Sequence, residues 1–420
     1  MSRKMVIIDT DPSADDAIGL MLAMASPELQ ILGMTAASGV CEASRSIQNI
    51  MRIQELCGHP EIPAVQGAEM PLLRTLCCDD AYCGADGLSE TGLPKPKKKA
   101  LHGTAASFIA KTAREHPGEL SIIELAPMTN LALALREEPA LPSLVKEIIT
   151  IDGNYGLYDF LKEERSADEG RAGAGAKSGC TEKRCRKRYI HAAEITRAEW
   201  NILQDPEAAE LVFSSGIPIR AAGLDVTAGF DDGMAEVLLA AAEHAALENK
   251  VHAVQRSEAS FYAHAEQQRK KLEFFRRALA FNLRRGLNPC SLLVDSAAVA
   301  LCIRPSLCTF QVGSARVVKE GEDTGKLQFS RTASQLNRLS DINADRLANA
   351  GSDERSRRAE ARECAAKVRM HPQGSASVKD APDRQTASGD VYPGKKTEIL
   401  AADTFDRQQF LELLIERVFT

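Results

Sequence analysis

Near its start the chain reads MVIIDTDPSADDA. This places four carboxylates, Asp9, Asp11, Asp15 and Asp16, within eight residues, directly behind the apolar run Met5-Val6-Ile7-Ile8. Like charges this close repel one another unless something positive sits among them. A helix N-terminus supplies partial positive charge, solvent can screen the group, or a hard cation can be bound. Calcium and magnesium prefer carboxylate and carbonyl oxygens, and calcium accepts about six to eight of them. A capped helix start, with Ser13 or Asp15 as N-cap, accounts for one or two acidic residues. It does not account for four behind a buried strand, so the cluster points first to a metal centre. Phosphotransfer from a D-x-D nucleophile fits less well. It calls for a second acidic pair far along the chain, whereas Asp15 and Asp16 lie in the same loop.

The elements that must hold such a site can be read from the apolar pattern. Residues 5–9 read as a buried strand and Asp16 to Met24 as the helix behind it. A strand at Ile31 to Thr35 precedes a helix at Ser44 to Cys57, and SIIELAPMTNLALAL (121–135) reads as strand, turn and helix. Further strands fall at Val145 to Ile151 and within Ile217 to Val226, and Asp231 to Arg285 reads as a helical scaffold with Phe261, Tyr262, Phe274 and Phe275 in its core. Apolar strands alternating with amphipathic helices predict an α/β fold: an open, mostly parallel β-sheet flanked by helices, with a Rossmann-like core. Ligands of such sheets bind outside the carboxyl ends of the strands, where the acidic cluster lies.

Two stretches break this rhythm. Lys162 to Arg188 is rich in Gly, Ala, Ser, Lys and Arg, and Arg331 to Thr397 is polar with scattered apolar residues. Both are expected to be mobile insertions (162–188 and 331–397) in a single domain spanning 1–420. The second is an insertion because EILAADTFDRQQFLELLIERVF after it reads as a strand and a closing helix. With 420 residues, 44% hydrophobic, and a net charge of -6, the chain gives no reason to expect nucleic acid or an anionic membrane as partner. No apolar run approaches the roughly 18 residues of a membrane span. Asp9 and Asp11 interrupt the only run that a signal peptide could use, and a cytoplasmic location is expected. The eleven cysteines lack paired C-x2-C spacing, so reduced thiols are expected rather than zinc.

The chain resembles the calcium-dependent nucleoside hydrolases of the inosine–uridine-preferring type, which open on D-x-D-P-G-x-D-D; here the residues are Asp9-Thr10-Asp11-Pro12-Ser13-Ala14-Asp15-Asp16. Leu125-Ala126-Pro127-Met128-Thr129-Asn130-Leu131-Ala132 looks like the family's G-P-L-T-N-L-A segment. Ala198-Glu199-Trp200-Asn201 with Asp205-Pro206-Glu207-Ala208-Ala209 looks like A-E-F-N…D-P-E-A-A. Gly223 to Thr227 matches a further strand end, and Asp295 to Ala300 resembles D-P-L-A-V-A.

The resemblance implies a calcium ion held by Asp11, Asp16, Asp295 and the carbonyl of Leu125. It implies hydrolysis of the N-glycosidic bond of a ribonucleoside, purine or pyrimidine, through an oxocarbenium-like state. In this scheme Asp11 is the general base toward a calcium-activated water. Asp15, Glu199, Asn201 and the metal ligand Asp295 hold the sugar. Read without the resemblance, Glu199 and Asn201 are a solvated helix start. The implied setting is nucleoside salvage, and the implied partner is a second copy, as dimer or tetramer.

Several positions depart from the family's pattern. Ser13 stands where the family has Gly, and Val40 where it often has Asn. Ala193 or Glu194 stands in place of another Asn, and Val294 stands where a His often protonates the leaving base. A second family His is replaced near Cys83 to Leu88. Two readings are open. One is a working hydrolase with an altered leaving-group strategy. The other is a catalytically weakened relative that binds calcium and a ribosyl ligand without efficient turnover.

Overall fold

The structure, a computed structural model, describes residues 3–156, 199–256, 259–331 and 397–420. The chain divides into one unit of residues 1–331 with 396–420 and a second of 332–395, which lies outside the described residues. The expected insertion 162–188 also lies outside them. The two expected end residues of the other insertion do not belong to it. Arg331 closes a strand, and Thr397 is buried, its Oγ1 accepting from the Gly216 N–H at 2.7 Å.

Val6, Ile7 and Ile8 are fully buried, as befits the first strand, β1 (Lys4–Thr10), which lies inside the sheet with a neighbour on either side. In chain order the others are β2 (Leu29–Ala36), β3 (Ala64–Gln66), β4 (Leu120–Glu124), β5 (Val145–Thr150) and β6 (Ile219–Ala221). After them come β7 (Cys308–Val317), β8 (Leu327–Arg331) and β9 (Ile399–Phe405). The spatial order is β3-β2-β1-β4-β5-β6-β9-β7-β8. Strands from β3 to β9 in that order pair in parallel, and β7 runs antiparallel to both β9 and β8. The expected open, mostly parallel sheet is therefore present, with an antiparallel edge.

The helices expected after β1 and β2 occur at Ala14–Met24 and Ala43–Cys57, and that after β4 at Thr129–Glu137. The helical scaffold divides into Asp232–Arg256 and Ala259–Arg285. Phe274 and Phe275 are buried there as expected, and the side chain of Phe261 lies outside the described residues. Tyr262 does not belong to the core, since it is 49% exposed. Among the described residues no helix is long and apolar enough to cross a membrane, and the described cysteines form no disulfide.

One packing contact joins two distant parts of the chain. Helix Ala14–Met24 is buried along its whole length and packs against helix Ser296–Ile303. The backbones come close at Gly19, where a Cβ would stand in van der Waals contact with the Asp295 and Ser296 backbone at 3.4 Å. Asp295 stands at the N-terminus of the later helix, and Asp15 and Asp16 in the first turn of the earlier one. Two helix starts thereby meet beyond the carboxyl end of β1.

Candidate active site

The loop after β1 turns into its helix at Ser13, whose φ of -99° suits any side chain. The departure from glycine at this position thus strains nothing. Ser13 is the N-cap, and its N–H donates to Asp16 Oδ2 at 2.9 Å, one half of a capping box. Thr10 Oγ1 donates to the other Asp16 oxygen at 2.5 Å. The helix cap and the acidic cluster are therefore built from the same residues.

Asp15 is held from two sides. The Ser13 hydroxyl donates to Oδ1, and the Tyr82 hydroxyl donates to Oδ2 at 2.6 Å. Asp11 takes the Val40 N–H on Oδ2 at 2.5 Å. Gly39 makes that approach possible, because a Cβ there would collide with the Asp11 carboxylate and Pro127. Val40 cannot form a hydrogen bond through its side chain, yet its backbone N–H fixes Asp11.

A pocket beyond the strand ends is lined by Asp11, Asp15, Asp16, Leu125, Glu199, Asn201 and Asp295, all seven residues named from the sequence. Val40, Tyr82, Trp200, Thr227 and Val294 complete its walls, among others. Asp15, Asp16 and Asp295 each bring one carboxylate oxygen within 4.8 Å of the others. Asp11 shares the pocket but stands outside that triplet. The fourth carboxylate of the opening motif, Asp9, does not face the pocket. It pairs in register with Glu124 on β4 and accepts from Thr35 Oγ1 and, at 2.9 Å, from Asn130 Nδ2.

Burial and mutual repulsion push these carboxyls upward. Burial, then the charge of Asp15, raises Asp16 to about 7. Burial raises Asp11 and Asp295 well above the ordinary carboxylate range, with Asp16 the next cause for both. Three buried carboxylates with facing oxygens, and no cationic side chain on the pocket wall among the described residues, form an all-oxygen donor set. Such a set matches a hard divalent cation, which would hold them ionised.

Glu199 is the N-cap of the short helix Trp200–Gln204. Its two oxygens accept from the N–H groups of Asn201 at 2.8 Å and Ile202 at 3.1 Å. The helix start read from the sequence is thus real, but it is buried rather than solvated, and burial raises Glu199 to about 7. Asn201 Nδ2 donates to the Leu125 carbonyl at 3.2 Å and to Asp152 Oδ1 at 2.9 Å.

Tyr82, Asp152 and Thr227 went unnoticed in the sequence as parts of this site. Tyr82 falls in a polar, cysteine-rich stretch with no periodicity. Asp152 is a lone acid after β5, and Thr227, in a stretch read as a strand end, instead closes the short helix Leu224–Thr227. None carries a local signal for its role.

The profile of the family described as "Inosine-uridine preferring nucleoside hydrolase" matches residues 6–410. The pyrimidine-specific ribonucleoside hydrolases RihA of Salmonella schwarzengrund and Salmonella agona are each 36% identical to this chain over 222 residues. The match covers 53% of this chain and 60% of theirs, so it spans less than two thirds of the curated relatives' length. A plant nucleoside hydrolase superposes with a TM-score of 0.64 at 22% identity, covering 99% of both chains. A purine-preferring ribonucleoside hydrolase from Gardnerella vaginalis superposes with a TM-score of 0.63 at 19% identity, covering 99% of this chain and 98% of that one. At these identities the two structures bear on the fold alone.

Proposed function

The chain belongs to the inosine–uridine-preferring nucleoside hydrolase family, and on that premise we propose that it hydrolyses the N-glycosidic bond of ribonucleosides to ribose and free base. The observation that carries this reading is the meeting of Asp15, Asp16 and Asp295 in one pocket with Asp11, Glu199, Asn201 and the backbone of Leu125. We assign the cation to Asp11, Asp16, Asp295 and the Leu125 carbonyl, with Asp15 bordering it. Calcium is the choice that an all-oxygen set of this size favours. When bound, the ion supplies positive charge that orients sugar hydroxyls and lowers the proton affinity of a nearby water.

The protein's own groups do the rest. Asp11, held by Val40, accepts the proton of the attacking water as general base. Asp15, fixed by Ser13 and Tyr82, keeps lone pairs for a ribose hydroxyl. Glu199 and Asn201 receive others, Glu199 through lone pairs left over from capping its helix. Cytoplasmic nucleoside salvage and a homo-oligomer, dimer or tetramer, are part of the same proposal.

A second reading has one observation in its favour. Val294 lines the pocket, and no His, Lys or Arg does so among the described residues. A weakened relative, binding calcium and a ribosyl ligand with little turnover, would have such a wall. One experiment separates the two: incubation with inosine, uridine and cytidine, with calcium or with chelator, for the native protein and Asp295→Ala. Calcium-dependent release of base, lost in Asp295→Ala along with calcium binding by calorimetry, supports the hydrolase. Tight calcium and ribonucleoside binding without base release supports the weakened relative. Unchanged calcium affinity in Asp295→Ala would overturn the metal assignment.

A further inference from the structure

Asn201 presents a side-chain amide to the pocket, and which of its ends faces a ligand decides what it can recognise. An amide has two N–H donors on nitrogen and a pure acceptor on oxygen. Here the nitrogen faces inward. It lies 3.2 Å from the Leu125 carbonyl and 2.9 Å from Asp152 Oδ1. Both neighbours are oxygens that accept. Rotating the amide by half a turn would set Oδ1 against two acceptors and cost both hydrogen bonds. No donor among the described residues reaches Oδ1, which is left as the atom available to a ligand.

Asp152 is itself rigidly placed. It lies two residues past the end of β5 and is fully buried. Its N–H donates to Thr150 Oγ1 at 2.9 Å, and its carbonyl accepts from Tyr155 OH at 3.1 Å. It does not line the pocket, so it cannot touch a substrate there. Its Oδ2 has no donor, so the packing spends a buried polar atom on keeping a carboxyl at this position.

We propose that Asp152 is a positioning residue that locks the Asn201 amide with its nitrogen inward and its oxygen toward the sugar, making Asn201 an obligate acceptor of a ribose hydroxyl. This deepens the ribonucleoside reading and rests on it for the identity of the ligand. The site then requires a hydroxyl that donates, and it rejects a sugar in which that hydroxyl is replaced by hydrogen. Because Asn201 Nδ2 also donates to the Leu125 carbonyl, the lock ties sugar recognition to a backbone oxygen assigned to the cation.

The test compares native protein with Asp152→Asn, which keeps an acceptor oxygen, and Asp152→Leu, which removes it at similar volume. Asp152→Ala serves if leucine does not fold. Asn201→Ala sets the scale of complete loss. The first readout is kcat/KM for uridine against its 2′-, 3′- and 5′-deoxy analogues. The analogue whose penalty collapses in Asn201→Ala identifies the hydroxyl. Its penalty should shrink about tenfold in Asp152→Leu, roughly one hydrogen bond's worth, and persist in Asp152→Asn. Equal penalties in Asp152→Leu and native protein would overturn the proposal.

The second readout needs no substrate: hydrogen exchange of the Asn201 side-chain NH2 by NMR. It should quicken at least about tenfold, the usual protection of a buried hydrogen bond, in Asp152→Leu and not in Asp152→Asn. Unchanged exchange in Asp152→Leu also overturns the lock. If the native protein cleaves no ribonucleoside, the hydrolase reading fails, and the exchange data still decide the role of Asp152.

Discussion

Val294 borders the pocket at the C-terminus of a short 3-10 helix, Pro289–Leu293, and directly precedes Asp295. A valine there can donate no proton to a departing base, and Tyr82, the phenol on the pocket wall among the described residues, gives its hydroxyl proton to Asp15. Removing a general acid costs about 10²- to 10⁴-fold when the leaving group needs protonation, and little when it leaves as a stable anion. We therefore expect a nitrophenyl riboside to be cleaved readily and inosine far less well. Val294→His should narrow the gap in kcat/KM between them. Equal, fast turnover of both by the native protein would mean that another group already supplies the proton. At this scale the sequence was legible wherever residue types cluster in a motif. It was not legible where single residues act through geometry. Asp9 looked equivalent to Asp11 but lies within β1, in register with Glu124, whereas Asp11 falls past the strand's end at Thr10, where the chain has left the strand alternation and turned into the site loop. Tyr82 and Asp152 reach the site only through the fold.

The elements around β1, β4 and β5 could be read from apolar runs followed by helical periodicity, since burial on both faces leaves that signature. Weaker elements escaped: β3 is three residues long, and the β7–β8 hairpin precedes a stretch of polar sequence in which its own ending is hard to see. Pairing at that edge has a further implication. Gly313 on β7 is opposite Arg331 on one side and Ile399 on the other. Strands β8 and β9 both run antiparallel to β7, so they are parallel to each other and about 10 Å apart, two strand spacings. A parallel crossover needs only about a dozen residues, far fewer than the segment between these strands. Replacing 332–396 with a Gly/Ser linker of about 15 residues, sized by that crossover, should leave the core folded. We expect a cooperative thermal transition within a few degrees of the native one, with calcium binding retained. Loss of both would show that the segment is integral to the fold.

Across the whole molecule, buried carboxyls set the response to pH. Burial raises Asp9 to about 6 and both Asp16 and Glu199 to about 7. A carboxyl raised in the folded state binds its proton more tightly there than in the unfolded chain. Between about pH 4 and 7 the unfolded chain therefore holds fewer protons, and stability falls as pH rises. The chelated protein should lose Tm from pH 5 to pH 7.5. On the proposed assignment calcium competes with protons for Asp16 and its neighbours, so its stabilising shift should be larger at pH 7.5 than at pH 5. Scanning fluorimetry at both pH values, with and without calcium, checks the pair of trends. A chelated Tm that rises with pH would contradict the burial of these groups.

The packing of helix Ala14–Met24 against helix Ser296–Ile303 also has a consequence in time. Asp11 and Asp16 are made early, and Asp295 comes after most of the chain, so a ribosome adding about 5–20 residues per second leaves the first pair waiting for tens of seconds. Through that interval a cation lacks the Asp295 carboxylate and has less hold on the nascent chain. It gains its full set only when both helices are docked, at the end of folding. An interaction formed that late slows escape from the native state and leaves the approach to it unaffected. Calcium supply would then govern how long a finished copy of this protein lasts, while the rate at which new copies mature stays the same.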